Sequence, residues 1–463
     1  MIHLLTAFFS VGMYHPDELF QIAEFAGYKL GWNQLHEMPW EYSAEMRSGL
    51  MPWLVYQLSR CLIYLNFFNP FAIATIFRCL ASLISYTAFI GLLNHYYDHV
   101  KIGKWANLGY LLCVLFWPLP FFHARFSAEN ISTALVILGM LIHLKANQNT
   151  LKLILAGLLF GLALHIRFHA LFFVGAYLGW HYLLISKKPL ILVYTFLGFT
   201  LAIATGIRAD YWLYSKLTFS PYNYVLQNVV YQKAADYGVQ PFYFYISESI
   251  IMMLPPFSLV LIGCLIYFWF KKPKHLLTAL TFLFALPHFF IGHKELRFLF
   301  PLLNFLPIMM CLLWPDFKSQ LEKGYVRFIL KSFVVVNFIT VLILAFVPAN
   351  STFLMLNRIY DFTKDKPAYI VYKTDDPYND LNSLHYFRNN KIRTVHLDSL
   401  KNLPASDTVC LYIENNYNAA NELTLSGKKF KREHSTFPNW IKYFNFNNWL
   451  ERASCSVIYV NQR

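Results

Sequence analysis

The sequence predicts an all-α polytopic membrane protein with a small α/β domain at its C-terminal end. Of the 463 residues, 57% are hydrophobic and only 14% are charged, whereas soluble domains contain roughly 25% charged residues. Apolar runs of about 18 residues, each long enough to cross a hydrocarbon core of about 30 Å, recur as far as residue 348. The chain then becomes polar, with short alternating apolar stretches. We therefore predict a transmembrane domain, 1–348, and a soluble extracytoplasmic domain, 349–463.

About eleven segments are apolar enough to be predicted as spans: 2–14, 71–94, 105–121, 128–144, 152–166, 169–185, 189–207, 249–270, 275–291, 297–314 and 328–347. The first is too short for a full crossing. Residues 51–68 are long enough, but they contain Arg60, and counting them would place the lysine-rich loops outside. We interpret them as an amphipathic helix on the outer interface.

Lysines and arginines in the short loops predict the orientation, because they concentrate on the cytoplasmic side. With the N-terminus inside, the short outer loops hold Arg125, Arg167, Lys294 and Arg297. The inner loops hold a larger set: Lys101, Lys104, Lys145, Lys152, Lys187, Lys188, Lys271, Lys272, Lys274, Lys318, Lys323 and Arg327. This orientation places the C-terminal domain and two long loops, 15–70 and 208–248, outside.

Net charge and cysteine content narrow the function classes. The formal charge of +14 reflects the cytoplasmic loops, and without a basic stripe or recognition module it does not indicate nucleic-acid binding. The seven cysteines form no CxxC pair. Cys410 and Cys455 lie in the polar domain, where two buried free thiols are favoured over a bridge.

Ionisable residues collect at the outer ends of the predicted spans, in four segments: 15–18, 123–130, 165–169 and 293–297. Such groups are costly at membrane depth and indicate function by default. Interfacial snorkelling explains any one segment, but four segments that mix histidines, carboxylates and cations on one side favour a site. No metal is predicted, because the spacings match no closed ligand set.

An ionised carboxylate near several cations suits sugar transfer from a polyprenyl phosphate. The acceptor hydroxyl needs a general base, and the departing lipid phosphate gains negative charge that cations stabilise. A nucleotide-sugar enzyme would instead need a phosphate-binding loop or an acidic metal pair on the cytoplasmic side, and neither motif occurs there. The predicted partners are a polyprenyl-phosphate-sugar donor, a glycan or glycolipid acceptor and the lipid bilayer, with no cofactor.

Several motifs occur in order along residues 14–301: His15-Pro16-Asp17-Glu18 with Gln21, Trp40-Glu41-Tyr42, Arg47-Ser48 before Pro52, Ala124-Arg125-Phe126-Ser127, Asp210-Tyr211-Trp212, Pro221-Tyr222-Asn223-Tyr224, Asn228, Tyr237-Gly238-Val239-Gln240-Pro241-Phe242-Tyr243, and His293-Lys294-Glu295-Leu296-Arg297-Phe298 before Pro301. Together they resemble glycosyltransferase family 22, whose members use dolichyl-phosphate-mannose to extend GPI anchors and N-glycan precursors.

The resemblance implies a GT-C membrane fold and an inverting mannosyl transfer without bound nucleotide. It also implies that Asp17 is the catalytic base, with Glu18 as the neighbouring carboxylate. We assign the donor phosphate to the cations His293, Lys294, Arg297, Arg125 and Arg167. We assign acceptor or sugar binding to His15, Glu41, Arg47, Asn223 and Tyr237.

The sequence leaves alternative functions open. One keeps the mechanism with another polyprenyl-phosphate sugar. A transporter would carry its charges near the bilayer midplane, whereas here they lie at the outer ends of spans, and a pure receptor would not need them clustered. The absence of a lysine-rich retrieval tail favours a bacterial inner membrane over the endoplasmic reticulum.

The C-terminal domain is not covered by the motifs. Its pattern predicts strands at 368–373, 392–397, 407–413 and 453–460, alternating with helix-like segments such as 380–389. We expect this α/β domain to lie over the active-site face.

Overall fold

A computed structural model of the chain describes residues 1–100, 106–321, 323–364, 366–374, 376–378, 385–388, 391–400, 409–416, 420–437, 439–452 and 455–461. The inner-loop residues Lys101 and Lys104, and all of the helix-like segment 380–389 except residues 385–388, lie outside these ranges. By internal contacts the chain forms two compact units. Unit 1 contains residues 1–10, 40–54 and 75–347, and unit 2 contains residues 11–39, 55–74 and 348–463.

The described residues are mostly helical. The α-helices are α1 (Ile2–Phe9), α2 (Asp17–Leu19), α3 (Phe25–Lys29), α4 (Trp40–Ser43), α5 (Leu50–Tyr64), α6 (Pro70–His95), α7 (Tyr97–Val100), α8 (Ala106–Val114), α9 (Pro118–His123), α10 (Ala128–Leu144), α11 (Thr150–Ile166), α12 (Ala170–Leu184), α13 (Pro189–Tyr214), α14 (Ser220–Val225), α15 (Phe244–Met252), α16 (Phe257–Lys271), α17 (Leu276–Phe290), α18 (Leu306–Leu321), α19 (Gly324–Phe346), α20 (Ser351–Thr363) and α21 (Trp449–Arg452). Two π-helical segments, Phe20–Glu24 and Leu226–Val230, and a long 3-10 segment, Leu296–Asn304, complete the parts used below.

The protein is a membrane protein, but the eleven predicted crossings are not confirmed. Among the described residues, three helices are long and apolar enough to cross a bilayer: α6, α13 and α19. Residues 296–304 followed by α18 make a fourth candidate span, bent by 56°. Helices α10, α11, α12, α16 and α17 are apolar but shorter. The predicted spans 2–14, 105–121 and 249–270 are each shortened or interrupted, at α1, between α8 and α9, and between α15 and α16.

Close packing of α11 on α13 organises part of unit 1. A Cβ atom on Gly157 would lie 1.8 Å from the Thr195 carbonyl oxygen, and one on Gly198 would lie 1.9 Å from the Ile154 carbonyl oxygen. Only glycine lets the two backbones approach this closely, as in membrane helix pairs joined through small residues. Near the C-terminal ends of both helices, Gly206 leaves room for the ring of His165.

The C-terminal part of unit 2 forms a six-stranded mixed sheet, with strand order β2-β1-β3-β6-β5-β4. The strands are β1 (Ala368–Tyr372), β2 (Ile392–His396), β3 (Val409–Glu414), β4 (Glu422–Leu425), β5 (Lys428–Ser435) and β6 (Val457–Asn461). Strands β1, β2 and β3 are parallel, and the others pair antiparallel. The four predicted strands are confirmed, whereas the charged hairpin β4–β5 was not predicted.

Cys410 and Cys455 lie in the core beneath this sheet as buried free thiols, as the sequence indicated. The helical part of the interface segment 51–68 is also confirmed, as α5.

Candidate active site

The segment that carries the predicted base belongs to unit 2. Asp17 follows Pro16 and begins the helical turn α2. Its backbone N–H donates to His15 Nδ1 at 3.3 Å, and its carboxylate lies 3.6 Å from the same nitrogen. A quarter of the Asp17 side chain is exposed. An N-terminal helical position favours the ionised carboxylate that a general base requires.

Glu18 has a different local role. One of its carboxylate oxygens accepts the backbone N–H groups of Tyr14 at 3.1 Å and His15 at 3.3 Å. It therefore fixes the turn that precedes Asp17, which is consistent with its place as the neighbouring carboxylate.

In unit 1, a buried carboxylate lies between two of the predicted phosphate-binding arginines. Glu129 is in the first turn of α10, whose N-cap is Ser127. One Glu129 oxygen is 2.9 Å from Arg167 Nη2 and 3.6 Å from Arg297 Nη1. All three side chains are less than 10% exposed. Arg167 ends α11 as its C-cap, so two helix ends and the 293–297 segment meet at this point.

The 293–297 segment brings a second carboxylate into the cluster. Glu295 pairs with the Arg297 guanidinium through one oxygen and lies 3.0 Å from His293 Nε2 through the other. The hydrogen bond to Glu295 raises the pKa of His293, which favours its protonated form. The ring of Phe298 lies 5.6 Å from the Arg167 guanidinium and 5.4 Å from that of Arg297, at cation–π distance.

The second long loop, 208–248, contacts the 293–297 segment through backbone atoms of the loop. His293 Nδ1 lies 3.0 Å from the Gly238 carbonyl oxygen, and Lys294 Nζ donates to the Gln240 carbonyl oxygen at 2.9 Å. The Gln240 N–H donates in turn to the Gly292 carbonyl oxygen at 3.0 Å. Burial lowers the pKa of Lys294. The two motifs, which are 55 residues apart, therefore form one local structure.

Around Arg47, residues 41–47 of the first long loop meet residues 223–224 of the second. Arg47 pairs with Glu41, and its guanidinium lies 5.6 Å from the ring of Tyr224. Asn223 Nδ2 donates to the Glu45 carbonyl oxygen at 3.2 Å. The Tyr224 ring also lies 6.0 Å from the Arg167 guanidinium, so this group adjoins the cluster at Glu129.

The ring of Tyr237 is more open than these groups. It is 63% exposed, and it stacks on Trp40 with the ring centroids 6.4 Å apart. Its centroid is 6.3 Å from that of His293. An exposed aromatic ring beside charged groups is the kind of surface on which a sugar packs.

Asp210 joins the segment that contains Gly49 to the start of α14, although its motif alone did not indicate this role. Its fully buried carboxylate accepts Gly49 N–H at 2.8 Å and Ser220 N–H at 2.9 Å, and it lies 3.1 Å from His165 Nε2. A Cβ atom on Gly49 would lie 2.3 Å from the Ala209 carbonyl oxygen. Glycine is therefore required where the Arg47 segment crosses the end of α13.

Arg125 contacts the start of the chain and α9. It is buried, its Nη2 donates to the Ser10 carbonyl oxygen at 2.7 Å, and its guanidinium lies 4.7 Å from the ring of Phe121. These contacts hold the start of the chain against α9. Its assignment to the donor phosphate stays a prediction.

One donor of Arg167 is not satisfied within the cluster. Its buried Nε–H has no hydrogen-bond partner among the residues that the structure describes. A buried donor without a partner costs about 1–3 kcal/mol, so an anion placed there would relieve that cost. A phosphate would also balance guanidinium charge that Glu129 and Glu295 now share.

The sequence placed Glu129 and Glu295 inside charged segments but did not include them among the site residues. Their signal was the presence of carboxylates beside arginines at membrane depth, where unpaired charges are costly. Glu24 gave no comparable signal, because it lies within an apolar pattern. In the described part of the chain, no three His, Cys, Asp or Glu side chains are grouped to hold a metal ion.

Comparison with known proteins gives matches along most of the chain. A family profile, described as the Alg9-like mannosyltransferase family, matches residues 1–379. GPI mannosyltransferase 3 of Debaryomyces hansenii is 31% identical over 139 residues, which are 30% of this chain and 24% of that protein. GPI alpha-1,2-mannosyltransferase 3 of Danio rerio is 23% identical over 310 residues, which are 66% of this chain and 56% of that protein.

A third relative carries a donor in its name. The probable Dol-P-Man:Man(7)GlcNAc(2)-PP-Dol alpha-1,6-mannosyltransferase of Schizosaccharomyces pombe is 32% identical over 98 residues, which are 21% of this chain and 18% of that protein. The chain thus spans between 18% and 56% of the length of these three relatives. No solved structure gives a significant match. All three relatives are eukaryotic, so they do not support the expected preference for a bacterial inner membrane.

Proposed function

The chain belongs to the Alg9-like mannosyltransferase family, and from that membership we propose that it is a membrane-embedded, inverting mannosyltransferase. It transfers mannose from a polyprenyl-phosphate-mannose donor to a lipid-linked or surface glycan on the extracytoplasmic face. The name of the fission-yeast relative includes Dol-P-Man, which supports this class of donor. The eukaryotic relatives favour the endoplasmic reticulum membrane over the bacterial one.

The observation that carries this proposal is the buried cluster of Glu129, Arg167 and Arg297. Two guanidiniums share one carboxylate oxygen, at 2.9 and 3.6 Å, and the Nε–H of Arg167 has no hydrogen-bond partner among the described residues. Guanidinium groups recognise phosphate through several charge-assisted hydrogen bonds. The cluster therefore suits the phosphate of a lipid-linked sugar donor.

The reaction divides into two roles. An acceptor hydroxyl loses its proton to Asp17 as its oxygen attacks the anomeric carbon. The bond from that carbon to the phosphate oxygen breaks, and the polyprenyl phosphate leaves with the electron pair. Arg167 and Arg297 stabilise the charge that develops on the leaving group. Attack from the face opposite the phosphate inverts the anomeric configuration.

An apolar cavity in unit 1 suits the tail of such a donor. It has a volume of about 520 Å³ and lies between α11, α12 and α13. It is lined by Phe160, Leu171, Val174, Gly175, Leu178, Leu192, Val193, Thr195, Phe196 and Phe199. Leu171 is in the first turn of α12, four residues beyond Arg167, so the cavity begins close to the cationic cluster.

The test is transfer of tritiated mannose from a short-chain polyprenyl-phosphate-mannose, using membranes that contain the wild type or Asp17→Asn and a cell lipid extract as acceptor. We expect transfer by the wild type and its loss in Asp17→Asn, with equal amounts of folded protein. The variant Asp236→Asn, whose side chain is 71% exposed, serves as the matched control and retains transfer.

Each other outcome has a defined meaning. Activity in Asp17→Asn equal to the wild type would move the base elsewhere, with Glu18 next to be tested. Transfer of another sugar, but not of mannose, would retain the mechanism and reject the substrate. Failure with every donor, despite folded protein and competent acceptors, would reject the transferase function.

A further inference from the structure

A second buried carboxyl group in unit 2 is not used by the proposed reaction. Glu24 is 2% exposed and lies at the end of the π-helical segment Phe20–Glu24. One of its oxygens accepts Tyr386 N–H at 2.9 Å, and the other accepts His385 N–H at 3.1 Å and Asn33 Nδ2 at 2.6 Å. Three donors, two of them consecutive backbone groups more than 360 positions along the chain, therefore converge on one side chain.

These contacts are specific for a carboxyl group. Its two oxygens match two successive N–H groups of the 385–387 turn, which is a short 3-10 helix. An apolar side chain would leave both buried N–H groups without an acceptor, at a cost of about 1–3 kcal/mol for each one. Burying a carboxyl group is itself costly, so general stability alone is a poor reason for one here.

The same turn is held by neighbouring side chains. The Tyr386 hydroxyl lies 2.6 Å from Ser59 Oγ, and its ring centroid is 5.4 Å from that of Trp32. Phe387 packs against Phe71 and Phe353, with ring centroids 5.1 and 5.0 Å apart. The 385–387 turn is thus a fixed part of unit 2, on which Glu24 can be anchored.

Glu24 is joined to the predicted base by continuous helical structure. Helix α2, the π-helical segment and α3 follow one another without a gap from Asp17 to Lys29. A shift or rotation at Glu24 is therefore transmitted over seven residues to Asp17. π-Helical segments are frequent at functional sites, and this one separates Asp17 from the anchored end.

We propose that Glu24 is a positioning residue, through which the C-terminal part of unit 2 fixes the helical segment that carries Asp17. The C-terminal segment thereby contributes to catalysis without supplying a reacting group. This inference rests on the proposed function, because it takes Asp17 to be the base. Its anchoring step can be measured without any activity.

The experiment uses the full-length protein in detergent, as wild type, Glu24→Met and Glu24→Gln. Methionine has a similar volume and accepts no strong hydrogen bond, whereas glutamine keeps one acceptor oxygen. Glu433→Met is the matched control, because Glu433 also lies in unit 2 and its partly exposed carboxylate, 3.9 Å from Lys431 Nζ, is on strand β5. If Glu24→Met does not fold, Asn33→Ala removes one donor and takes its place.

Hydrogen exchange measured by mass spectrometry reports the anchor, and kcat and KM for polyprenyl-phosphate-mannose report positioning. We expect faster exchange in peptides covering 17–29 and 385–388 of Glu24→Met, with no change in peptides from α10. We also expect kcat to fall about 100-fold, which is typical of a misplacement of about 1 Å, with KM for the donor unchanged. Glu24→Gln should lie between the wild type and Glu24→Met, and Glu433→Met should match the wild type.

Three results would overturn the proposal. Unchanged exchange in both peptides would show that Glu24 is not an anchor. Faster exchange with unchanged kcat would reduce its role to stability. Faster exchange in a protein whose wild type transfers no mannose would leave the anchor in place but reject the catalytic role, together with the proposed function.

Discussion

Replacing Glu129 by glutamine is the most direct test of the charge cluster. The change keeps the shape of the side chain but removes the negative charge that Arg167 and Arg297 share at 2.9 and 3.6 Å. Two buried guanidiniums then lack their common counter-ion. We expect the folded protein to lose stability and a phosphate ligand to restore it.

Both magnitudes follow from the geometry. Removing one partner of a buried ion pair costs about 3–5 kcal/mol. A bound phosphate and the Glu129 carboxylate on opposite sides of one guanidinium would lie about 6 Å apart and repel by about 3 kcal/mol at an effective dielectric constant of about 20. Removing that repulsion makes phosphate binding about 100-fold tighter.

The assay is thermal melting of the purified protein with and without a short-chain polyprenyl phosphate. At saturating ligand, a 100-fold difference in affinity adds about 3 kcal/mol of stabilisation to the variant. With a typical unfolding entropy of about 2 cal/mol/K per residue and 463 residues, this amounts to about 3 °C more than the ligand shift of the wild type. Polyprenol without phosphate is the ligand control.

The matched variant is Glu414→Gln, which removes a partly buried carboxylate that pairs with Lys373 at 2.7 Å in unit 2. Its ligand shift should equal that of the wild type. If Glu129→Gln does not fold, Glu129→Asp takes its place. This variant retains the charge on a shorter side chain, so its ligand shift should be smaller than the one expected for Glu129→Gln. A ligand shift in Glu129→Gln no larger than in the wild type, or one equally large with polyprenol, would refute the assignment of this cluster to phosphate.

Three further predictions concern other parts of the molecule. Asp210→Ala removes the acceptor for the buried N–H groups of Gly49 and Ser220. It should lower the free energy of unfolding by about 3 kcal/mol or more, which is measured as a lower melting temperature. The exposed change Asp236→Ala should leave the melting temperature unchanged. Gly175→Leu adds a side chain in the wall of the apolar cavity, at a position where a Cβ atom meets nothing within 4 Å. It should raise KM for a long-chain donor and leave KM for a short-chain donor unchanged. Equal effects on both KM values would reject the cavity as the site of the tail. Burial raises the pKa of Glu24 from 4.5 to about 8, so its contribution to stability is fully present below about pH 4.5 and is lost as the pH rises through about 8. The melting temperature of the wild type should therefore fall over this range relative to that of Glu24→Gln, which does not ionise. Parallel pH profiles of the two melting temperatures would contradict the assignment.

The sequence predicted the parts of the fold that depend on hydropathy and period. Apolar length predicted α6, α13 and α19 as spans, and alternation predicted four strands of the C-terminal sheet. It did not predict where apolar segments break, as between α8 and α9, because both sides of such a break are equally apolar. It also missed the β4–β5 hairpin, since the strand Lys428–Ser435 is mostly charged and has few apolar positions.

For the candidate site, the sequence identified the cations but not their partners. Residues 237–243 and 293–298 carry separate motifs in the sequence, and three contacts to backbone atoms join them in the structure. Periodicity cannot reveal that Glu129 lies between Arg167 and Arg297, because the three residues come from separate segments. Glu24 was hidden for the same reason, since its partners His385 and Tyr386 are more than 360 positions away.

The pairing of cations with carboxylates also bears on turnover. Bare guanidiniums at a buried site would be unstable without a ligand, and they would hold a departing polyprenyl phosphate too tightly to release it. Under the proposed function, Glu129 and Glu295 would solve both problems in the same way, because each pairs with a guanidinium that the phosphate would also contact. Under the proposed function, the donor would bind by exchanging one anion for another, and the product would leave as the carboxylates regain their partners. Binding energy is thus limited in the ground state, which favours turnover over tight binding.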